Sequence, residues 1–116
     1  MLSLAGIYIH IPFCIRKCPY CAFYSVEYNE ELKRQYVSSL IRNIRAYKGK
    51  DIPVDTVYFG GGTPSLLSSE EMDGILSAVR DSFILLPNSE ITVEANPSST
   101  DYNKLAAYRR AGVNRI

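Results

Sequence analysis

The chain has no tryptophan, one histidine, two methionines and three cysteines among its 116 residues. It has no surplus of charge: thirteen Lys and Arg stand against twelve Asp and Glu, a formal net charge of +1. That balance gives no electrostatic case for nucleic acid as a partner. It has no run of 18 apolar residues, so no membrane span is expected. Met1 to Ile11 carries neither a basic stretch nor a small-residue cleavage site, so it does not read as a secretory signal. Six prolines and seven glycines are too few for a collagen-like or linker composition. Internal repeats, low-complexity segments and a domain linker are also missing. The cysteines are odd in number and all fall between Cys14 and Cys21, so a disulfide framework is excluded. Their clustering suits a metal or cluster site in a reducing compartment, and the cytoplasm is the expected location.

What is present is 47% hydrophobic and 22% charged, the composition of one globular domain. Gly6 to Ile11 alternates and is stopped by Pro12, which predicts a strand. Asn29 caps a helix that carries Leu32, Tyr36, Val37, Leu40, Ile41, Ile44 and Tyr47 at helical spacing, with Gly49 as its stop. Val54 to Phe59 predicts a second strand, ended by Gly60, Gly61 and Gly62. Ser68 with Glu71 makes a capping box, and Leu67 with Met72 a hydrophobic staple. The helix they open continues through Ile75, Leu76, Val79 and Phe83. Glu90 to Ala95 predicts a third strand, Thr100 to Ala111 a third helix with Gly112 beyond it, and Val113 to Ile116 the start of a fourth strand. The order βαβαβαβ predicts an α/β fold with parallel strands and right-handed crossovers. Three βα units cannot close a barrel, so residues 1–116 are expected to be the front part of a larger domain. Such a piece exposes a sheet edge, and extension past Ile116 is expected to stabilise it.

In parallel α/β folds, function gathers at the carboxyl ends of the strands. The cysteine loop, the triple glycine and the segment Glu94-Ala95-Asn96-Pro97 all fall there. Strand alternation puts Ile7, Ile9 and Ile11 on one face and Tyr8 and His10 on the other. It likewise separates Ile91, Val93 and Ala95 from Thr92 and Glu94. The aliphatic face should pack on helices, and the polar face should hold a polar ligand.

Cys14-x3-Cys18-x2-Cys21 lets three thiolates of one loop wrap a single cluster or metal and leaves one coordination position open. Three packed small hydrophobes, or zinc with His10 as fourth ligand, are the alternatives. Gly60-Gly61-Gly62-Thr63-Pro64 allows close backbone approach to a ligand, though a tight turn explains the glycines equally well. No Gly-Lys-Ser/Thr follows, so it is not a P-loop. Glu94 suits contact with hydroxyl or amine groups; a solvated or capping role is the plain alternative. His10 reads as a packed core histidine, and Tyr8 and Tyr20 read as core aromatics or ligand contacts. Lys33, Arg34, Arg42, Arg45, Lys48 and Lys50 read as a solvated helix face.

Together these motifs resemble the radical S-adenosylmethionine superfamily. The string Tyr8-Ile9-His10-Ile11-Pro12-Phe13-Cys14, with Cys18-Pro19-Tyr20-Cys21 and Gly60-Gly61-Gly62-Thr63-Pro64-Ser65, is similar to one branch of it. That branch holds the oxygen-independent coproporphyrinogen III oxidases and the related haem chaperones. The resemblance implies a 4Fe-4S cluster on Cys14, Cys18 and Cys21, with S-adenosylmethionine on the open iron. One electron would cleave the sulfonium to release a 5′-deoxyadenosyl radical. By position, Tyr8, Gly61, Gly62, Thr63 and Glu94 would contact S-adenosylmethionine, and Tyr20 would sit by the adenine. It implies a partial (β/α)6, TIM-like barrel of which this chain supplies the first half. Its partners would be S-adenosylmethionine, haem or a porphyrinogen, and an electron donor protein. The oxidases resemble Cys-x3-Cys-x2-Cys-x-Cys; Phe23 stands at the last of those positions, which is similar to the haem chaperones. Ala22, where that branch more often has an acidic residue, is a smaller departure. The chaperones' haem-binding segment would lie beyond residue 116.

Overall fold

In the computed structural model, residues 4–14, 26–27, 29–95 and 100–116 are described. The elements are β1 (Ala5–Ile11), β2 (Phe13–Cys14), β3 (Val26–Glu27), α1 (Glu30–Arg45), β4 (Pro53–Gly61), a 3-10 turn (Pro64–Leu66), α2 (Ser69–Ser82), β5 (Ile84–Val93) and α3 (Tyr102–Ala111). β1, β4 and β5 form a parallel sheet in that order, with α1 crossing from β1 to β4 and α2 from β4 to β5, and α3 following β5. The expected α/β architecture with parallel strands is therefore the observed one.

The helix ends follow their sequence signals. The Asn29 side chain accepts from Leu32 N–H at 3.0 Å, satisfying one of the donors a helix start leaves unpaired. Ser68 and Glu71 form both bonds of the capping box, and Leu67 and Met72 on either side of it are fully buried. Asp101 caps α3 through Lys104 N–H, and Gly112 ends it with φ +124°.

Three expectations change. β5 begins at Ile84, not Glu90: the pairing steps from Val54↔Leu85 to Thr56↔Glu90, so residues 86–89 bulge out of the ladder. Ser89 closes that excursion by donating to the carbonyls of Leu86 and Val54. Pro87 and Asn88 make this stretch read as a turn in sequence, although it lies within the strand. Val113 to Ile116 forms one parallel bridge, Thr92↔Arg115, rather than a strand. Asn114 anchors it by accepting from Ile91 N–H and donating to Ser89 C=O. Finally, Lys33 is not solvated but buried, 3% exposed. Its ammonium meets Glu71 at 3.0 Å and Glu30 at 3.4 Å, and donates to the Leu66 carbonyl at 3.0 Å. Leu32, assigned to the apolar face, is exposed in its stead. The other five basic residues of that group are exposed as expected.

One core fills the space between sheet and helices. It takes Ile9, Ile11, Val57, Phe59, Ile91 and Val93 from the strands. Val37 and Ile44 of α1, Met72, Ile75, Leu76 and Val79 of α2, and Tyr108 of α3 complete it.

Candidate functional site

The site lies at the carboxyl ends of the three strands, on the face turned away from that core. In-register pairing aligns Tyr8 with Tyr58 and Tyr58 with Thr92, so side chains of three strands share one row. The Tyr8 and Tyr58 rings stack at 19°, centroids 6.0 Å apart. The Tyr8 hydroxyl lies 3.1 Å from His10 Nδ1.

Beyond the end of β5, Glu94 N–H donates to the Phe59 carbonyl at 3.0 Å and prolongs the ladder by one bond. That bond fixes the Glu94 backbone, and the exposed carboxylate turns back onto β4. Tyr58 donates its hydroxyl to Oε2 at 2.7 Å, and Gly61 N–H donates to Oε1 at 3.2 Å. The Tyr58 phenol is pushed above its ordinary value, first by this hydrogen bond, which favours the protonated donor, then by desolvation and the charge of Glu94.

The glycines have specific structural reasons. A Cβ on Gly60 would stand 2.9 Å from Tyr8 Oη and 3.0 Å from the Tyr58 ring. Gly61 has φ +113°, and a Cβ there would stand 2.8 Å from the Ile11 carbonyl. Gly62 N–H donates to that same carbonyl at 2.8 Å. The amides of Gly61 and Gly62 are thus engaged inside the protein. The space that a side chain on Gly61 would take is filled by the Ile11 carbonyl and the His10 ring.

Thr63 follows, nearly buried, at the head of the 3-10 turn. That turn is held from below through three consecutive carbonyls. Lys104 of α3 donates to Ser65 at 2.8 Å, Lys33 of α1 to Leu66, and the Tyr108 hydroxyl to Leu67 at 2.5 Å. Burial pushes the Tyr108 phenol far up, so it stays a donor. Burial, then the neighbouring Lys33 charge, pushes the Lys104 ammonium down.

The structure therefore brings Tyr8, Gly61, Gly62, Thr63 and Glu94 to one end of the sheet. Cys18, Cys21, Tyr20, Phe23, Asn96 and Pro97 lie outside the described residues, and Cys14 enters only through its backbone in β2. Among the described residues no group of three metal-ligating side chains occurs. Sequence reading missed Tyr58 as a site residue. The signal was there: Tyr58 alternates with the buried Val57 and Phe59, as Tyr8 does with Ile7 and Ile9.

The family profile of the Radical SAM superfamily matches residues 8–116. The chain belongs to the radical S-adenosylmethionine superfamily. Its similarity to curated proteins runs the same way. It is 44% identical over 116 residues to the heme chaperone HemW of Escherichia coli K12, covering 96% of this chain and 30% of that protein. It is 38% identical over 114 residues to the anaerobilin synthase of Escherichia coli O157:H7, covering 95% of this chain and 26% of that one. The chain thus spans less than a third of the length of these relatives. Among solved structures, it superposes with a TM-score of 0.86 on the radical SAM enzyme coproporphyrinogen III oxidase, HemN, of Escherichia coli. That match has 23% identity and covers 98% of this chain and 27% of the other, so the likeness is one of fold.

The superfamily implies S-adenosylmethionine and an iron–sulfur cluster. The chemistry of the donors present fits both. An oriented carboxylate suits hydroxyl and amine groups, aromatic faces suit a nucleobase or a sulfonium, and three thiolates in one short loop suit iron. No helix among the described residues is long and apolar enough to cross a membrane.

Proposed function

We propose that this chain is the cluster- and S-adenosylmethionine-binding part of a radical S-adenosylmethionine protein of haem or porphyrin metabolism, most like a haem chaperone. The observation that carries this reading is the convergence of Tyr8, Gly61, Gly62, Thr63 and Glu94 at the strand ends, in a chain whose residues 8–116 match the superfamily. Cys14, Cys18 and Cys21 would hold a 4Fe-4S cluster, leaving one iron for the ligand. When bound, the cluster and S-adenosylmethionine supply one-electron reductive cleavage of the sulfonium bond.

The chain's own residues do the rest. Glu94 accepts hydrogen bonds from hydroxyl or amine groups of the ligand. Gly60 and Gly61, having no side chains, leave room for the Tyr8 and Tyr58 rings and the Ile11 carbonyl at the strand end where the ligand would lie. Tyr8 and Tyr20 offer ring faces. The Lys33, Lys104 and Tyr108 donors keep the 3-10 turn and Thr63 in one arrangement. The partners on this reading are S-adenosylmethionine, haem and an electron donor protein, in the cytoplasm.

A second reading makes the protein an enzyme, a coproporphyrinogen III oxidase acting on propionates. The fold likeness to that oxidase and the similarity to an anaerobilin synthase favour it. Phe23, where the oxidase pattern has a further cysteine, favours the chaperone, as does the 44% identity to HemW. Membership of the superfamily favours a cluster over zinc on the cysteines.

Anaerobic reconstitution with iron and sulfide, followed by low-temperature EPR with and without S-adenosylmethionine, tests the shared part. A 4Fe-4S signal that shifts on adding the ligand is expected; a colourless chain that takes up one zinc would overturn it. Cys18→Ala is expected to abolish the signal, and iron and sulfide retained near four per chain would count against the cysteine assignment. Stoichiometric haem binding without porphyrinogen turnover by the longer protein would select the chaperone over the oxidase.

A further inference from the structure

Tyr58 stands in the strand-end row, bonded to Glu94, and the functional reading gives it no task. It stacks on Tyr8 from the neighbouring strand and donates to Glu94 Oε2 at 2.7 Å, while Gly61 N–H takes Oε1. Glu94 is exposed and stands past the end of β5. A carboxylate so placed would ordinarily sample several rotamers, and a ligand would bear the entropy of fixing it. Here two donors, one per oxygen, fix it beforehand. An ionised carboxylate has about four lone-pair sites, so roughly half remain for a ligand.

We infer that Tyr58 is a positioning residue: it holds the Glu94 carboxylate in a single orientation so that its remaining lone pairs meet the hydroxyl or amine donors of a bound adenosyl ligand. The inference rests on the S-adenosylmethionine site proposed above and assigns the residue that prepares it. Gly60 belongs to the same device. Its missing Cβ, which would stand 2.9 Å from Tyr8 Oη and 3.0 Å from the Tyr58 ring, lets both rings lie close over the strand. The stacked Tyr8 ring limits where the Tyr58 hydroxyl can point, so the hydroxyl is itself aimed before it bonds. Three neighbouring groups act on the Tyr58 phenol, beside its desolvation. Glu94 raises its pKa by hydrogen bond and by charge, Tyr8 raises it and Arg115 lowers it. Arg115 is itself paired with Glu90 at 2.5 Å.

The test is a double-mutant cycle on the reconstituted chain, read by equilibrium dialysis of S-adenosylmethionine. Tyr58→Phe keeps the ring and its stack and removes only the hydroxyl. It is expected to weaken binding about fivefold, near 1 kcal/mol. Glu94→Gln is expected to weaken binding tenfold or more, and the double variant no further than Glu94→Gln alone. Additive losses, or unchanged affinity in Tyr58→Phe, would overturn the inference.

A ligand-free readout stands beside it: NMR titration of the Tyr58 ring. In Glu94→Gln the phenol should titrate lower than in the wild type. Identical titration in both would also overturn the inference. The two readings fail separately. If the wild type binds no S-adenosylmethionine while the Tyr58–Glu94 coupling persists, the proposed site is lost, and the ligand role with it. If binding is normal and the coupling absent, only the role of Tyr58 is lost.

Discussion

On one face of the β1–β4–β5 sheet stand Ile9, Ile11, Val57, Phe59, Ile91 and Val93, all at most 4% exposed. On the other, one residue away along the same strands, stand Tyr8, His10, Tyr58, Thr92 and Glu94, and Tyr8 is 59% exposed. The backbone serving the two faces is the same, so the difference lies wholly in side chains. The aliphatic face is held by area removed from water, about 25 cal/mol per Å². The polar face is held by a few directed hydrogen bonds and two stacked rings. Stability and ligand recognition should therefore be separable by mutation, even at adjacent positions.

Phe59 and Tyr8 break the comparison most sharply. Phe59→Ala empties a fully buried site and is expected to destabilise the chain by ~4 kcal/mol. Tyr8→Ala, on the exposed face, is expected to change stability by less than ~1 kcal/mol while weakening S-adenosylmethionine binding. Urea titration of both variants, beside dialysis of the second, checks the pair. Equal losses of stability would show that the polar face is also part of the core.

Lys33 sharpens the comparison, because it is a charge on the wrong side of it. It is buried among apolar groups yet carries two carboxylates and a carbonyl. Removing one partner of a buried pair leaves the other uncompensated, so Lys33→Met is expected to cost ~3 kcal/mol. The loss should also free the Leu66 carbonyl, so hydrogen exchange in the 3-10 turn should quicken. Lost stability without faster exchange there would make Lys33 a partner for Glu71 alone.

How much of this was legible in the sequence follows from what each signal encodes. Local signals were read correctly: Asn29, the Ser68–Glu71 box and Gly112 each mark a helix end through chemistry confined to a few residues. Alternation gave the two faces of β1 and of the end of β5. It faltered where the ladder is irregular. The step between Val54 and Thr56 breaks the period at the start of β4, though Val57, Tyr58 and Phe59 still alternate, while residues 86–89 disguise the start of β5. The pairing of Phe13–Cys14 with Val26–Glu27 is two residues long and has no period to detect. Lys33 was misread because the helical stripe was drawn through Leu32, and an ion pair with Glu71 on another helix leaves no mark in local sequence. At the site, Tyr8, Gly61, Gly62, Thr63 and Glu94 are marked as a set by the resemblance of their motifs to a family, not by any local signal. The bond from Tyr58 to Glu94 needed coordinates.

Lys104 gives the smallest effect and the finest test, since it too supports the 3-10 turn from a half-buried position. Burial first, then the Lys33 charge, lowers its pKa below the ordinary lysine value of 10.5. The charged form is thus less favourable in the folded chain than in the unfolded one, a penalty fully present below the folded pKa. It fades as pH rises through the folded pKa toward the ordinary lysine value. Asp101 and Glu71 act in the opposite direction without cancelling it. Wild-type stability should therefore rise relative to Lys104→Met across that alkaline window. Because Lys104 is largely solvent-screened, the rise should be small. Comparing the two proteins at each pH cancels the titration of groups common to both. A difference that shrinks with pH would mean that the Ser65 carbonyl and nearby carboxylates outweigh desolvation, making Lys104 an ordinary stabilising cation.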